Sequence, residues 1–253
     1  MSRLNLRLDF VVVIGLVLIC IPLVLLIEAR FIVSTVLFFA IPTLYLVLRK
    51  PKNLHRVLAA TGVATIFLFG IDLLAELNNA WSWAPQGQLL FKEKILGVVP
   101  IDVMIYYALF AFFMLVFYEH FFEHEHSDKV SRRFKWFFLF AISLDCLIVL
   151  LFLFAPSLIT FPYAYFWIAL IGSYPLYYVI AKKPKLALKI AKADLFPILL
   201  LLVFGVTAIK LDQWRFPGVY IGEVQLFGQT FAFEEFLFWV ILGAATAFSY
   251  YEL

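Results

Sequence analysis

Glu234 and Glu235 stand side by side in TFAFEEFLFWVILGAATAF (residues 230–248), a run otherwise built of aromatic, aliphatic and small residues. Such a pair costs little in water, but each carboxylate costs roughly 2.5 kcal/mol or more at the centre of a bilayer. Asp102 lies in the comparable apolar stretch VVPIDVMIYY. Paired acids in apolar surroundings suit proton transfer: one carboxyl donates, and an ionised neighbour steadies a cation and collects the released proton. Neighbouring residues on a helix point about 100° apart, so Glu234 and Glu235 are expected to face different partners and play different roles. Tyr106, Phe238 and Trp239 each follow an acid by four residues, and their ring faces suit either a cation or plain packing.

Other acids in apolar runs invite blander readings. Asp72 and Glu76 share one helix face by their i,i+4 spacing, and Glu76 and Asp194 are expected to reach interfacial water. Asp145 falls mid-run, where it serves either function or a structural hydrogen bond to a Tyr, Thr or Ser on a neighbouring helix. The bland reading of Glu234 and Glu235 is an interhelical hydrogen-bonded pair. No histidine is expected within a run: His55, His120, His124 and His126 fall in loops, and EHFFEHEH (Glu119–His126) reads as a solvated stretch rather than a metal cluster. Cys20 and Cys146 read as apolar fillers. No G-x-G-x-x-G occurs, so no dinucleotide cofactor, and no cofactor or metal of any kind, is expected.

The elements that must hold these acids follow from composition. The 253 residues are 65% hydrophobic and 15% charged, with 30 phenylalanines and a mean hydropathy of +1.00, whereas soluble domains run about 45–50% apolar. Eight apolar runs are long enough to span a bilayer: Phe10–Ile27, Phe31–Leu48, Val57–Leu77, Ile95–Phe117, Trp136–Phe154, Phe161–Ile180, Ala193–Ile209 and Leu226–Tyr250. The first has no small-x-small cleavage site and is followed by Glu28 and Arg30, so it is read as a helix rather than a signal peptide. With a cytoplasmic N-terminus, fifteen of the 20 Lys and Arg fall on the cytoplasmic side, leaving Arg30, Lys92, Lys94, Lys210 and Arg215 outside. The positive-inside rule favours that orientation. The expectation is an all-α integral membrane protein of eight transmembrane helices in the cell membrane, with both termini cytoplasmic.

The chain also repeats. IPTLYLVLRKPK (Ile41–Lys52) aligns without a gap on YPLYYVIAKKPK (Tyr174–Lys185) at an offset of 133 residues, which also carries Trp81 onto Trp214 and Tyr118-Glu119 onto Tyr251-Glu252. Four helices per unit require the same orientation for both halves, residues 1–133 and 134–253. Two parallel four-helix repeats related by an axis along the membrane normal would put a shared site at their interface. At this offset Asp102 falls on Glu235, and a one-residue slip puts it on Glu234; both registers remain open. Either way each half buries a carboxyl about a third of the way down its fourth helix from the outer face, and Asp102, Glu234 and Glu235 form one candidate catalytic site.

GIDLLAELNNAWSW (Gly70–Trp83), ILGVVPIDVMIYY (Ile95–Tyr107), KLDQWRF (Lys210–Phe216) and FAFEEFLFW (Phe231–Trp239) together resemble the lycopene cyclase domain family of integral-membrane carotenoid cyclases. The resemblance covers roughly residues 40–118 and 173–251. That family's pattern is an Asp in one helix, a Trp at its exit, and P-x-E-E-x-x-F in the next helix. The first half keeps Asp72, Trp81 and Pro100 but has Asp102-Val103 for the glutamate pair. The second keeps Glu234, Glu235 and Phe238 but has Ala232 for the proline and Gly205 where Asp72 would project. The resemblance implies one composite site that cyclises the linear ends of lycopene by protonation, carbocation capture and proton loss. It makes Glu234, Glu235 and Asp102 catalytic, with Asp72, Trp81, Trp214, Tyr106, Phe238 and Trp239 binding substrate. The implied partners are a lipophilic carotenoid, the lipid bilayer and other carotenoid enzymes; no nucleic acid is expected. The rival readings are a duplicated transporter or proton-coupled channel, which would need more Gly/Pro interruption and polar lining, and a retinal photoreceptor, for which Lys210 is the one candidate and is poorly placed.

Overall fold

The computed structural model describes residues 3–49, 53–83, 88–123 and 132–253. Lys50, Lys52, Lys129 and the His124–His126 part of the Glu119–His126 run lie outside these. Among the described residues, seven helical spans are long and apolar enough to cross a membrane: Asn5–Leu26, Phe31–Leu48, Leu54–Leu77, Ile101–Phe122, Phe134–Phe154, Ala164–Lys182 and Lys185–Lys210. Leu18, Ile19, Leu26, Leu44, Leu153, Phe154, Leu195 and Leu199 are all exposed on the outside of the bundle. Exposed apolar surface on that scale marks a lipid-facing protein rather than a water-facing one. The chain is an all-α, multi-pass membrane protein.

The first span is α1 (Arg3–Leu26). The second is α2 (Phe31–Thr35), a π turn over Val36–Ala40, and α3 (Ile41–Leu48). Pro42 has no N–H to return to the preceding turn, so the helix widens just before it. Then come α4 (Leu54–Leu77), α5 (Ile101–Phe122) and α6 (Arg132–Phe154). The sixth span divides into α7 (Ala164–Gly172) and α8 (Tyr174–Lys182) at Ser173, two residues before Pro175. α9 (Lys185–Lys210) follows. The last apolar run is helical in three pieces: α10 (Glu234–Leu237), a π turn over Phe238–Leu242, and, after Gly243, α11 (Ala244–Glu252). At about 1.5 Å per residue the pieces together approach the roughly 30 Å hydrocarbon thickness.

Two helix starts differ from the sequence reading. Residues 95–100 and 226–232 do not begin their helices; they belong to hairpins that precede them. β2 (Lys94–Ile95) pairs with β3 (Val99–Pro100), and β5 (Glu223–Leu226) pairs with β6 (Gln229–Ala232). Each turn uses two consecutive left-handed residues ending in glycine, Leu96-Gly97 and Phe227-Gly228, as a primed hairpin turn requires; Phe227-Gly228 are the whole loop between paired Leu226 and Gln229, whereas Val98 adds a third residue between paired Ile95 and Val99. Asp102, Glu234 and Glu235 therefore sit in the first turns of α5 and α10, at the N-terminal ends of their helices, rather than a third of the way down. His55 and His120, expected in loops, lie within α4 and α5.

α4 and α9 end alike. Asn79 and Asp212 adopt positive φ, and the next amides, Ala80 N and Gln213 N, bond back to the carbonyls of Ala75 and Ala208 at 2.8 Å each. This left-handed cap turns the chain inward, so Trp81 and Trp214 re-enter the bundle instead of leaving it. Ser82–Trp83 (β1) then pairs antiparallel with Trp214–Arg215 (β4), matching Ser82 to Arg215 and Trp83 to Trp214. α5 is the most buried of the seven spans and α6, packed on α4, the least. α11 is buried throughout its length, against α4, α5, α8 and α9.

The β1–β4 contact joins chain segments more than a hundred residues apart, and it can be trapped. Partners in an antiparallel pair have Cα atoms about 4.5–5.5 Å apart, inside the roughly 4.4–6.8 Å a disulfide bridges. Replacing Ser82 and Arg215 by cysteine forfeits only an exposed Arg215–Asp212 pair, worth about 1 kcal/mol or less. The double variant should lose both new thiols to alkylation after mild oxidation in the folded protein. Persistence of both free thiols would contradict this pairing.

Candidate functional site

Asp72 is fully buried on α4, and one of its oxygens carries three hydrogen bonds. Trp81 Nε1 and Trp83 Nε1 each donate to Oδ1 at 2.8 Å, and Tyr107 OH donates at 2.6 Å; Oδ2 has no partner. The inward turn after α4 delivers both indoles, and α5 delivers the phenol. Glu76, one turn on from Asp72, accepts Trp83 N at 3.2 Å and so fixes the same loop from its backbone.

Glu235 stands opposite, in the first turn of α10, almost wholly buried. Tyr165 of α7 donates a short hydrogen bond to Oε2, and Trp239, one turn on, donates to Oε1 at 2.8 Å. Trp81 meets Tyr165 edge to face at 4.8 Å between ring centres, so the donors to the two carboxyls touch each other. Between them lies a cavity of ≈ 30 Å³ lined by Trp81, Trp83, Tyr106, Tyr107, Tyr165, Trp214, Phe216, Phe238 and Glu235. That volume holds about one water molecule. Glu235 is the one carboxyl in a wall of aromatic rings, and ring faces attract cations.

The two neighbouring acids do other work. Both oxygens of Asp102 are engaged by the loop before β2, with Leu90 N at 2.9 Å and Phe91 N at 3.0 Å. Its charge also sits favourably at the N-terminal end of α5. Glu234 Oε1 accepts Ile221 N at 2.8 Å just before β5, while Oε2 has no partner. Thus Asp102 and Glu234 each tether the loop ahead of their own hairpin, and neither lines the aromatic cavity. The two adjacent glutamates do face different partners, as their angular separation implies.

Of the proposed substrate-binding residues, Trp81, Trp214, Tyr106 and Phe238 line the cavity directly. Trp239 supports Glu235 from behind, and Asp72 holds three of the lining rings. Sequence reading missed Tyr165, Trp83, Tyr107 and Phe216. Trp83 and Tyr107 stand beside residues already singled out, whereas Tyr165 has no local signal because its partner is 70 residues away. In the loop before β5, Tyr220 OH donates to the carbonyl of Ala80 at 3.1 Å, and burial pushes its phenol up to about 12. Among the described residues no group of three or more His, Cys, Asp and Glu side chains could hold a metal ion. Neither cysteine forms a disulfide; Cys20 is buried, and Cys146 is exposed on α6.

No family model, curated protein or solved structure matches the chain.

The loop-tethering role of Asp102 has a direct readout. A hydrogen bond to a charged group contributes about 1.5–3 kcal/mol, and about 1.4 kcal/mol is a factor of ten. Asp102→Ala should speed amide exchange at Leu90 and Phe91 at least about tenfold, measured by mass spectrometry, with exchange across Tyr163–Gly172 unchanged. Unaltered exchange at the two amides would show that the carboxylate does not hold that loop.

Proposed function

We propose that this chain is a carotenoid cyclase of the lycopene cyclase type, an intramembrane isomerase that closes the linear end groups of lycopene by acid catalysis without a redox step. The observation that carries the reading is a single carboxyl, Glu235, in the wall of a small aromatic cavity, three of whose rings are fixed by a second buried carboxyl, Asp72. In this reading Glu235 delivers a proton to the terminal double bond of the substrate. The internal double bond attacks the tertiary cation and closes the ring. Loss of a ring proton to the same carboxylate regenerates the acid, so atoms and charge balance with no co-reactant.

The side chains divide the work. Tyr165 and Trp239, both donating to Glu235, compensate the negative charge left when its proton departs. The faces of Tyr106, Trp81, Trp214 and Phe238 surround the developing cation. Asp72 acts as a positioning residue through Trp81, Trp83 and Tyr107, while Asp102 and Glu234 hold the loops that close the outer side. A space of ≈ 30 Å³ admits no hydrocarbon end group, so substrate enters by displacing lining rings. The bilayer supplies the lipophilic substrate, and the reaction draws on no cofactor.

The same proposal includes the two parallel four-helix repeats, the eighth span at α10–α11, both termini in the cytoplasm and residence in the cell membrane. Several features recur at or near the offset of 133 and support the repeat. The caps at Asn79 and Asp212 match, as do the helix breaks beside Pro42 and Pro175. Leu96-Gly97 and Phe227-Gly228 share the same left-handed backbone. A proton-coupled channel is the second reading, favoured by the partnerless buried oxygens of Asp145, Asp194 and Glu234.

Expression in a lycopene-accumulating bacterium, with chromatography of the pigments, tests the proposal. Cyclic product should form, and Glu235→Gln should lower its rate by at least about a hundredfold, the low end of what a general acid supplies. Asp72→Asn should impair the rate, and Glu76→Gln less so. No cyclic product from the parent, or parental rates in Glu235→Gln, would overturn the enzymatic reading. Proton flux from reconstituted vesicles would favour the channel.

A further inference from the structure

Three tyrosines line the aromatic cavity, and two of their hydroxyls are committed. Tyr107 donates to Asp72, and Tyr165 donates to Glu235. Tyr106 differs. Phe39, Phe110 and Phe204 cover its ring, and the residue is only 4% exposed. Among the described residues its hydroxyl has no hydrogen-bond partner, yet the oxygen is not one of the sealed, partnerless atoms of the interior. The small accessible part of Tyr106 therefore includes the hydroxyl, which opens on the cavity that the residue lines.

A buried hydroxyl left unmet costs about 1–3 kcal/mol, and buried tyrosines usually find a partner. The ≈ 30 Å³ in front of it holds about one water. Glu235 stands in the same wall. Each of its oxygens accepts one hydrogen bond, from Tyr165 or Trp239, and keeps a further lone pair. Across a space one water wide, that water reaches both the hydroxyl and the carboxyl, which meets the minimum of two polar partners for a buried water. A hydrocarbon end group brings nothing for either partner to bond, so it gains no affinity by displacing this water. Apolar substrate displaces rings and leaves the water in place.

We propose that Tyr106 and Glu235 hold a water that intercepts the substrate cation, so that the chain hydrates linear end groups as well as closing them. The inference rests on the cyclase reading and adds a second product to it. Glu235 gives its proton to the terminal double bond, and the adjacent carbon becomes a tertiary cation. The water is bonded to the acid that has just delivered the proton, so its oxygen lies beside that carbon. A lone pair of the water forms the C–O bond, and the oxonium returns a proton to the Glu235 carboxylate. One water has then added across one double bond, the acid is restored, and nothing is oxidised or reduced. Ring closure requires the chain to fold back on itself, whereas capture by a held water does not, so the two outcomes compete. Tyr106 sets the share of each, because its hydroxyl fixes the water.

The test incubates lycopene-loaded membranes containing the full chain in heavy-oxygen water, followed by chromatography and mass analysis of the pigments. Host membranes without the chain serve as the blank. A tertiary alcohol carrying the heavy oxygen should form beside the cyclic product. Tyr106→Phe keeps the ring and removes the hydroxyl, and it should lower the ratio of alcohol to cyclic product about tenfold, the worth of one hydrogen bond. The label is read in the unaltered protein, so that arm stands whatever the variant does to folding. Cyclic product with no alcohol would overturn the hydration and leave the cyclase reading standing. An alcohol without the heavy oxygen, or an unchanged ratio in Tyr106→Phe, would overturn it as well. Absence of both products would sink the cyclase reading and this inference together.

Discussion

The hydrogen bonding of Asp72 is the constraint on which the arrangement of the aromatic end of the bundle turns. A carboxyl at a fully buried position on α4 has no water to call on, and leaving it unmet is costly. Its donors come from three separate points of the chain, Trp81, Trp83 and Tyr107. To bring the two indoles back, α4 must end in an inward-turning cap at Asn79. To bring both indoles to one oxygen, the chain must be extended at Ser82 and Trp83, and that extended pair is the strand that meets Trp214 and Arg215. One buried acid thus dictates a helix end, a loop path, the junction between distant segments and most of the aromatic wall.

The opposite end of the bundle is organised by different chemistry. Asp9 takes hydrogen bonds or ion pairs from Tyr45, Arg49 and His120, tying α1, α3 and α5 together. Lys189 bridges Glu123 and Glu252, Tyr118 donates to Glu252, and Lys183 reaches the Glu252 carbonyl. Arg56 lies over the Tyr251 ring at 4.3 Å. These contacts clamp the helices at that end. The aromatic layer around Phe39, Tyr106, Phe110 and Phe204 fills the middle. With one end clamped and the middle packed, the looser closure lies at the end that carries Asp72 and Glu235. There the closure consists of short hairpins and loop amides held by Asp102 and Glu234.

Much of this was legible in residue types. Apolar runs give the spans because lipid leaves the backbone no alternative to helix at those lengths. Buried acids flagged the outer end as the place of interest, since composition alone makes Asp72 and Glu235 expensive. The hairpins were not legible as such: Ile95–Pro100 and Leu226–Ala232 are as apolar as the helices they precede, so hydropathy merged them. Leu96-Gly97, Phe227-Gly228 and the helix-initiating Pro100 carried the correct signal. The loop-holding duties of Asp102 and Glu234 escaped because backbone amides have no sequence signature. His120 read as a loop residue because its partner, Asp9, is 111 positions away.

Asp72 and Glu235 are buried acids held in different ways, and Gly205 shows the difference. At the offset of 133 it corresponds to Asp72. A Cβ there would lie 3.3 Å from Phe231 and 3.4 Å from Trp239. An aspartate at residue 205 would have to displace those rings. One of them belongs to Trp239, and its indole N–H is committed to Glu235. Glu235 itself stands at the start of α10, and its tryptophan donor sits one turn on rather than on a returning loop. The consequence is chemical. Asp72 is walled in behind its own donors, while Glu235 faces the cavity. Two carboxyls, each matched to aromatic donors, can then hold separate roles across one small space, which two equivalent acids in identical surroundings could not do.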